Sequence, residues 1–117
     1  MENNKPLDAT LHQPVRTLIA AYLAGRGQAT FSELKRELSL TDGNLDAHLK
    51  KMVDGGYLAT RRDDSVARVQ TVFMLTETGR AALRDYFEQL ARLQQFAAAG
   101  ETASDGSRTF EPGSAPA

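Results

Sequence analysis

The chain has 117 residues, 41% of them hydrophobic, which indicates one domain with tails and a modest core. It has no cysteine, so disulfides, thiolate metal sites and thiol catalysis are excluded. Its net charge of -1 argues against a generally basic nucleic-acid binder and leaves only local positive patches. No apolar signal region or membrane-length stretch is present, so we expect a soluble, cytoplasmic protein.

The first predicted helix follows a flexible N-terminus at residues 1–10, in which Leu7 and Asp8 can begin a lead-in turn. Apolar residues recur at helical spacing between Leu11 and Tyr22. Pro14 suits the first helical turn, where its missing amide hydrogen is no loss. A pair of glycines, the second of them Gly27, closes the helix.

A second helix and a tight turn follow. Residues 28–31 are a connector that offers one strand's worth of extended chain. Thr30 with Glu33, or Ser32 by itself, can cap the helix that comes next. Only residues 39–40 separate this helix from a third one, a spacing that predicts a helix-turn-helix.

The third helix, within residues 41–56, is sharply delimited. Thr41 is a good N-cap, and Gly55-Gly56 supplies a left-handed stop. An apolar stripe runs from Leu45 to Met52 on one face. The opposite face is small and polar, which suits a DNA major groove, because the groove admits one helix and offers acceptors to Asn and Lys. An ordinary amphipathic helix with a solvated polar face is the alternative.

The periodicity then changes from helix to strand. Residues 57–62 and 69–75 are rich in β-formers and too short for helices of that kind. Residues 63–65, Asp-Asp-Ser, have turn chemistry. Two strands joined by a polar loop directly after a helix-turn-helix predict a wing.

A long helix is predicted over residues 77–97, capped by Thr76 and carrying an apolar stripe at near-heptad spacing. Gly79 in its first turn is typical of close packing. Gly, Ser, Pro and Ala dominate from residue 98 onward, so residues 98–117 are expected to be a disordered tail.

Several short segments occur in a characteristic order: His12–Arg16, Phe31–Lys35, Leu40–Leu45, His48–Lys51, Gly56–Leu58 and Leu75–Arg80. Together with the order of elements they resemble a winged helix-turn-helix transcriptional regulator, more closely the small MarR/ArsR-like bacterial regulators. The resemblance covers about residues 11–96. It implies a mainly α fold with a small β-hairpin (α+β): a three-helix core, a two-stranded wing and a long C-terminal helix, with the DNA-binding domain at residues 11–97.

The family implies sequence-specific binding of double-stranded DNA by a homodimer at a pseudo-palindromic operator. The recognition helix, residues 41–54, would lie in the major groove and the wing, residues 61–68, on the backbone. By matching position, the residues that would face DNA are Thr41, Asp42, Asn44, Ala47, His48, Lys50, Lys51, Arg61, Arg62 and Arg68. Acids at Asp46, Asp63 and Asp64 depart from the family pattern and lower the expected affinity.

Some of these positions have two interpretations. His48 either bonds a phosphate or base edge, as a pH-sensitive donor, or covers an edge of the core. Arg61 and Arg62 alternate on a strand, so one is expected to face the duplex while the other packs or pairs with an acid.

The long helix is expected to supply a dimer seam. Leu83 and Phe87 would cover the core. The predicted interface residues are Leu11, Val15, Tyr86, Leu90, Leu93 and Phe96. An unidentified small-molecule effector would have to bind in the dimer cleft between the long helix and the core.

The sequence also bears on two other function classes. An enzyme is not supported, because the two histidines lie on separate helices and no phosphate loop or nucleophile motif is present. No cofactor is expected, and no metal, because His, Asp and Glu do not cluster at ligand spacing. The alternative to a DNA-binding regulator is a winged helix used as a protein-interaction module, which the near-zero charge permits.

Overall fold

The computed structural model of the protein describes residues 6–103, with side chains described as far as residue 100. Its elements follow the predicted order: α1 (Pro14–Arg26), β1 (Ala29–Thr30), α2 (Phe31–Leu38), α3 (Asp42–Asp54), β2 (Leu58–Asp63), β3 (Gln70–Leu75) and α4 (Glu77–Ala103). The fold is therefore α+β. The chain divides into two compact units, one reaching Tyr86 and the other starting at Phe87.

The segment before α1 is folded, which corrects part of the flexible N-terminus expected at residues 1–10. Residues 1–5 lie outside the described residues, but residues 6–13 form an N-terminal strap. The carboxylate of Asp8 accepts a hydrogen bond from the backbone amide of Leu11 at 2.9 Å and another from the hydroxyl of Tyr57 at 2.6 Å. These bonds link the strap to the segment that follows α3.

The helix α1 begins at Pro14, three residues after Leu11, the first residue of the predicted apolar pattern, and ends at Gly27 as predicted. Gln13 is the N-cap, and its side-chain oxygen accepts from the backbone amide of Arg16 at 2.8 Å. Pro14 is the first helical residue. Gly27 ends the helix with φ of 92°, a conformation that glycine adopts without steric penalty.

The helix-turn-helix is formed by α2 and α3. Thr30 caps α2 by accepting from the backbone amide of Glu33 at 3.1 Å, the first of the two predicted caps. The Glu33 carboxylate also accepts from the Tyr22 hydroxyl at 2.6 Å, which ties α2 to α1. Ser39 takes a left-handed conformation, φ 56°, and makes the turn between the two helices.

The sheet has three antiparallel strands in the order β1-β3-β2. The wing was predicted with two strands, and the extended connector before α2 adds the third. Ala29 of β1 lies opposite Phe73, and Leu58 of β2 lies opposite Leu75. The central position of β3 buries Val72, Phe73 and Leu75 within the first unit.

Gly79 packs against the backbone, as its position in the first turn of α4 predicts. A Cβ added there would collide with the carbonyl oxygen of Tyr57. That oxygen already accepts from the backbone amide of Thr76 at 3.0 Å. The hydroxyl of Thr76 caps α4 by accepting from the Gly79 amide at 2.9 Å, as predicted.

The long helix extends further than expected. α4 continues to Ala103, so its residues 98–103 are helical and not part of a disordered tail. Three alanines at residues 97–99 explain the difference, because alanine has the highest helix propensity. The rest of the predicted tail, residues 104–117, lies outside the described residues. Within the described part of the chain, no helix combines the length and apolar character that a membrane crossing needs.

Candidate nucleic-acid interface

The helix α3 has one buried face and one exposed face. Leu45, Leu49 and Met52 are buried, which confirms the predicted stripe. The exposed face carries small residues and potential hydrogen-bond donors: Gly43, Asn44, Ala47, Lys50 and Lys51. Because no Cβ stands at position 43 and only a methyl group at 47, another surface can approach the α3 backbone closely there.

The start of α3 is fixed by local bonds. The hydroxyl of Thr41 accepts from the backbone amide of Asn44 at 3.2 Å, which confirms the predicted cap. Asp42 forms an ion pair with Lys35 of α2, with Nζ and Oδ1 2.9 Å apart. Asp42 therefore joins the two helices of the helix-turn-helix and has part of its charge neutralised. The same carboxylate suits the positive end of the α3 dipole.

His48 is half-buried at the edge of α3 and contacts Arg16 of α1. Its Nδ1 lies 3.1 Å from Nη1 of Arg16. The Nε of the same guanidinium donates to the carbonyl oxygen of Thr10 in the strap at 2.6 Å. Burial and the positive charge of Arg16 lower the pKa of His48. The strap, α1 and α3 are thus joined in one chain of hydrogen bonds.

Clefts flank α3 on both sides. The strap-side cleft, about 550 Å³, is lined by Thr10, Ala47, Lys50, Lys51, Asp54 and Gly55. The wing-side cleft, about 380 Å³, lies between α3, the start of α2 and the wing. Its lining includes Asp46 and Arg68 beside the aromatic rings of Phe31 and Phe73. Asp46, the acid of α3 that departs from the family pattern, therefore lines the same cleft as Arg68 of the wing.

Both adjacent arginines of the wing, here the hairpin β2–β3 and its loop, have local partners. The Nε of Arg62 lies 3.2 Å from Oδ1 of Asp64, an exposed ion pair. A terminal nitrogen of Arg61 donates to the Gln28 side chain at 3.1 Å. Arg62 is therefore the arginine that pairs with an acid, as expected for one of the two. Arg61 also has a polar partner within the protein, the side chain of Gln28.

The acids of the wing serve its loop. The carboxylate of Asp63 accepts from the hydroxyl and the backbone amide of Ser65, at 2.6 and 3.0 Å. These hydrogen bonds lower the pKa of Asp63. The loop also exposes Val66 and Val69, apolar residues that sequence reasoning did not single out.

The residues predicted for a dimer seam divide into two groups. Leu11 and Tyr86 are buried inside the first unit, with 0% and 5% exposure, which corrects their assignment to an interface. Tyr86 is held there by a bond of 2.9 Å between its hydroxyl and Nδ1 of His12. In the second unit Leu93 and Phe96 are 54% and 78% exposed.

The remaining seam predictions have mixed outcomes. Val15 and Leu90 are half-buried. Leu83 is buried, as expected for a residue that covers the core, but Phe87 is 44% exposed, which corrects the same expectation for that residue. Leu18 belongs to the apolar pattern that predicted α1 and was not among the predicted interface residues, but its side chain is 49% exposed.

Sequence reasoning missed the strap. Thr10 was placed in the flexible N-terminus, Asp8 only in a lead-in turn, and Arg16 only in a segment of the family resemblance. Their partners, Tyr57 and His48, lie 49 and 32 residues further along the chain. No local pattern signals such contacts. Groups of acidic and histidine residues that could hold a metal are absent from the described residues.

Comparison with known proteins places this geometry in a family. Residues 15–94 match the sequence profile described as a winged helix DNA-binding domain. The chain belongs to the winged-helix DNA-binding domain family. It is also 38% identical, over 81 residues, to the uncharacterized protein MJ0432 of Methanocaldococcus jannaschii, covering 69% of this chain and 88% of that protein.

Two solved structures of transcriptional-regulator proteins have the same fold. The transcriptional regulator homologue from Pyrococcus horikoshii OT3 aligns with a TM-score of 0.76 and 29% identity, over 83% of this chain and 98% of that one. A protein of Enterococcus faecalis V583 assigned to the MarR family of transcriptional regulators aligns with a TM-score of 0.65 and 21% identity, over 81% and 84%. The MarR-like fold expected from the sequence is confirmed.

Proposed function

We propose that this winged-helix protein is a transcriptional regulator that binds double-stranded DNA sequence-specifically as a homodimer, with α3 in the major groove and the wing along the backbone. One observation carries the proposal: the exposed face of α3 presents Asn44, Lys50 and Lys51 around the small residues Gly43 and Ala47. Asn and Lys donate to base acceptors and phosphates, and the small residues leave room for the groove.

The strap-side cleft supports a phosphate contact beside α3. Its lining includes two basic residues, Lys50 and Lys51, and only one acidic residue, Asp54. The lining also includes the polar Thr10. Among the described residues neither lysine forms an ion pair, so both ammonium groups are available to an anion. Phosphate contacts of this kind fix the register of a protein on DNA without reading its sequence.

Binding to a random-sequence duplex at 50 and 200 mM salt tests the DNA-binding function. A protein that neutralises about six phosphates loses about 10³ in affinity over this range. Lys51→Ala should weaken binding and reduce the salt dependence. Arg84→Ala removes one positive charge from an exposed position outside the predicted interface, so it is the matched control. Absent or salt-insensitive binding would favour a protein-interaction module instead.

We further propose that the exposed end of α4 forms the dimer seam. Leu93 and Phe96 expose large apolar side chains one turn apart, and such surfaces are typical of interfaces between chains. Two recognition helices about 34 Å apart would then read successive half-sites of a pseudo-palindrome.

Mass measurement in solution tests the seam. Leu93→Glu should convert a dimer to a monomer, because it would bury a carboxylate in the interface. Gln94→Glu adds the same charge at the neighbouring exposed position and should leave the dimer intact. A monomeric wild-type protein would overturn the two-half-site proposal. The effector expected in the dimer cleft stays a prediction.

A further inference from the structure

Arg16 holds the histidine of the recognition helix in a defined chemical form. Its guanidinium contacts two groups at once, donating through Nε to the Thr10 carbonyl at 2.6 Å and lying 3.1 Å from Nδ1 of His48 through Nη1. Arginine has five N–H donors and no acceptor, and it stays protonated. The only hydrogen bond possible at this contact is therefore one that Nδ1 of His48 accepts.

This contact determines where the imidazole proton sits. A neutral histidine has one protonated ring nitrogen and one acceptor nitrogen. Because Nδ1 accepts from Arg16, the proton belongs on Nε2. Protonating Nδ1 as well would break the bond and place two cations 3.1 Å apart. Burial of the ring also lowers the pKa of His48 and so favours the neutral form. The charged group that lowers this pKa further is Arg16, on the neighbouring helix α1.

We propose that Arg16 is a positioning residue that fixes His48 as a neutral Nε2–H donor on the recognition helix, so that this position binds only hydrogen-bond acceptors of DNA. The inference rests on the proposed DNA-binding function. The acceptors available are phosphate oxygens, N7 and O6 of guanine, N7 of adenine and O4 of thymine, whereas the amino groups of adenine and cytosine are excluded.

The orientation of Arg16 comes from the strap and from α1. The backbone amide of Arg16 is bonded to the N-cap Gln13 at 2.8 Å, and its Nε is bonded to Thr10 at 2.6 Å. With these anchors the guanidinium is held before DNA arrives. Arg16 lies on α1, whereas His48 lies on α3, the helix proposed to contact DNA. Arg16 therefore acts through His48 and not by contacting DNA itself.

Nitrogen-15 NMR of the imidazole rings tests the proposal without DNA. The chain has two histidines, so His12→Gln assigns the signals of His48. Wild-type protein should show Nδ1 unprotonated and Nε2 protonated. Arg16→Met removes donor and charge, and should give a mixture of both neutral forms with a higher pKa of His48. Arg16→Lys keeps a cationic donor and should restore the wild-type form.

The results that overturn the proposal are distinct from a failure of DNA binding. A proton on Nδ1 in the wild-type protein overturns it, even if the Arg16 variants do not fold. An Arg16→Met variant that titrates like the wild type also overturns it. If these spectra agree with the proposal but random-sequence duplex DNA does not bind, then the proposed function fails while the pairing stands.

Selection from a randomised duplex pool identifies the acceptor. His48→Ala should lower the affinity about three- to ten-fold, the effect of one hydrogen bond. A base acceptor predicts relaxed preference at one position of the selected sequences, and a phosphate acceptor predicts a uniform loss over all sequences.

Discussion

The two sides of α3 differ in how their positive charges are used. On the wing side Arg62 pairs with Asp64, Arg61 bonds Gln28, and Arg68 shares a cleft with Asp46. On the strap side Lys50 and Lys51 form no ion pair within the described residues. A net charge close to zero therefore hides an uneven distribution. We expect phosphate binding to be stronger on the strap side, where Lys50 and Lys51 lie.

The largest expected effect comes from a substitution that displaces Tyr57, because this residue contacts the strap and also leads into the wing. Tyr57 bonds the strap through its hydroxyl and precedes β2 of the wing, and its carbonyl oxygen leaves no space for a Cβ at Gly79. Gly79→Ala should lower the free energy of unfolding by about 1–3 kcal/mol, the usual effect of overpacking. Chemical denaturation measures it.

A glycine further along the same helix is the control for that substitution. A Cβ at Gly100 would meet nothing within 4 Å. Gly100→Ala should therefore be neutral or slightly stabilising, because alanine favours helix. Equal destabilisation by both substitutions would mean that the contact with Tyr57 is not the cause.

The next effect compares the two sides directly through salt dependence. Each phosphate contact contributes about 0.9 to the slope of log affinity against log salt. If both lysines contact phosphates, Lys50→Ala with Lys51→Ala lowers the slope by about 1.8, which is about ten-fold in affinity between 50 and 200 mM salt. Arg61→Ala with Arg62→Ala should change the slope less. A larger change from the wing pair would reverse the comparison.

Freeing Arg62 of the wing from its ion pair should make the wing side bind phosphate more nearly as the strap side does. Asp64→Asn removes the carboxylate that pairs with Arg62 at 3.2 Å. The exposed pair itself contributes little to stability. Affinity for random-sequence duplex should rise about two- to three-fold and the salt slope should steepen, because the guanidinium can turn to a phosphate. Glu88→Gln removes an exposed acid from α4 and controls for the general change in charge.

The sequence predicted the elements better than it predicted the site. Caps at Thr30, Thr41 and Thr76 are local signals, read over three residues, and each of them formed. The periodic stripe of α3 likewise predicted its buried face. By contrast, the bonds from Asp8 to Tyr57 and from Arg16 to His48 join distant segments. Such pairs depend on how the elements pack, which no local spacing encodes.

Burial in the last helix shows the same limit. Heptad spacing predicted that Leu83 and Phe87 would both face the core, yet only Leu83 is buried. Periodicity identifies the apolar face of a helix, but it does not tell over what length of the helix other residues cover that face. The predicted tail was likewise shortened, because the low complexity of residues 97–99 comes from alanine, which extends a helix as readily as it fills a linker.

The smallest expected effect is a separation of the two sides by pH. The lowered pKa of His48 means that, between that pKa and the ordinary value of 6.5, the unfolded chain binds more protons than the folded one. Stability should therefore rise with pH in this window. The pKa of Asp63 is also lowered, from 3.8, so its contribution is present above that value and is lost as pH falls through the lowered one. Thermal denaturation from pH 7 to pH 3 should show His48→Gln flattening only the upper part of the profile and Asp63→Asn only the lower part. If either substitution flattened both parts of the profile, the protonation of His48 and of Asp63 would be coupled, and the two sides would not be separable by pH.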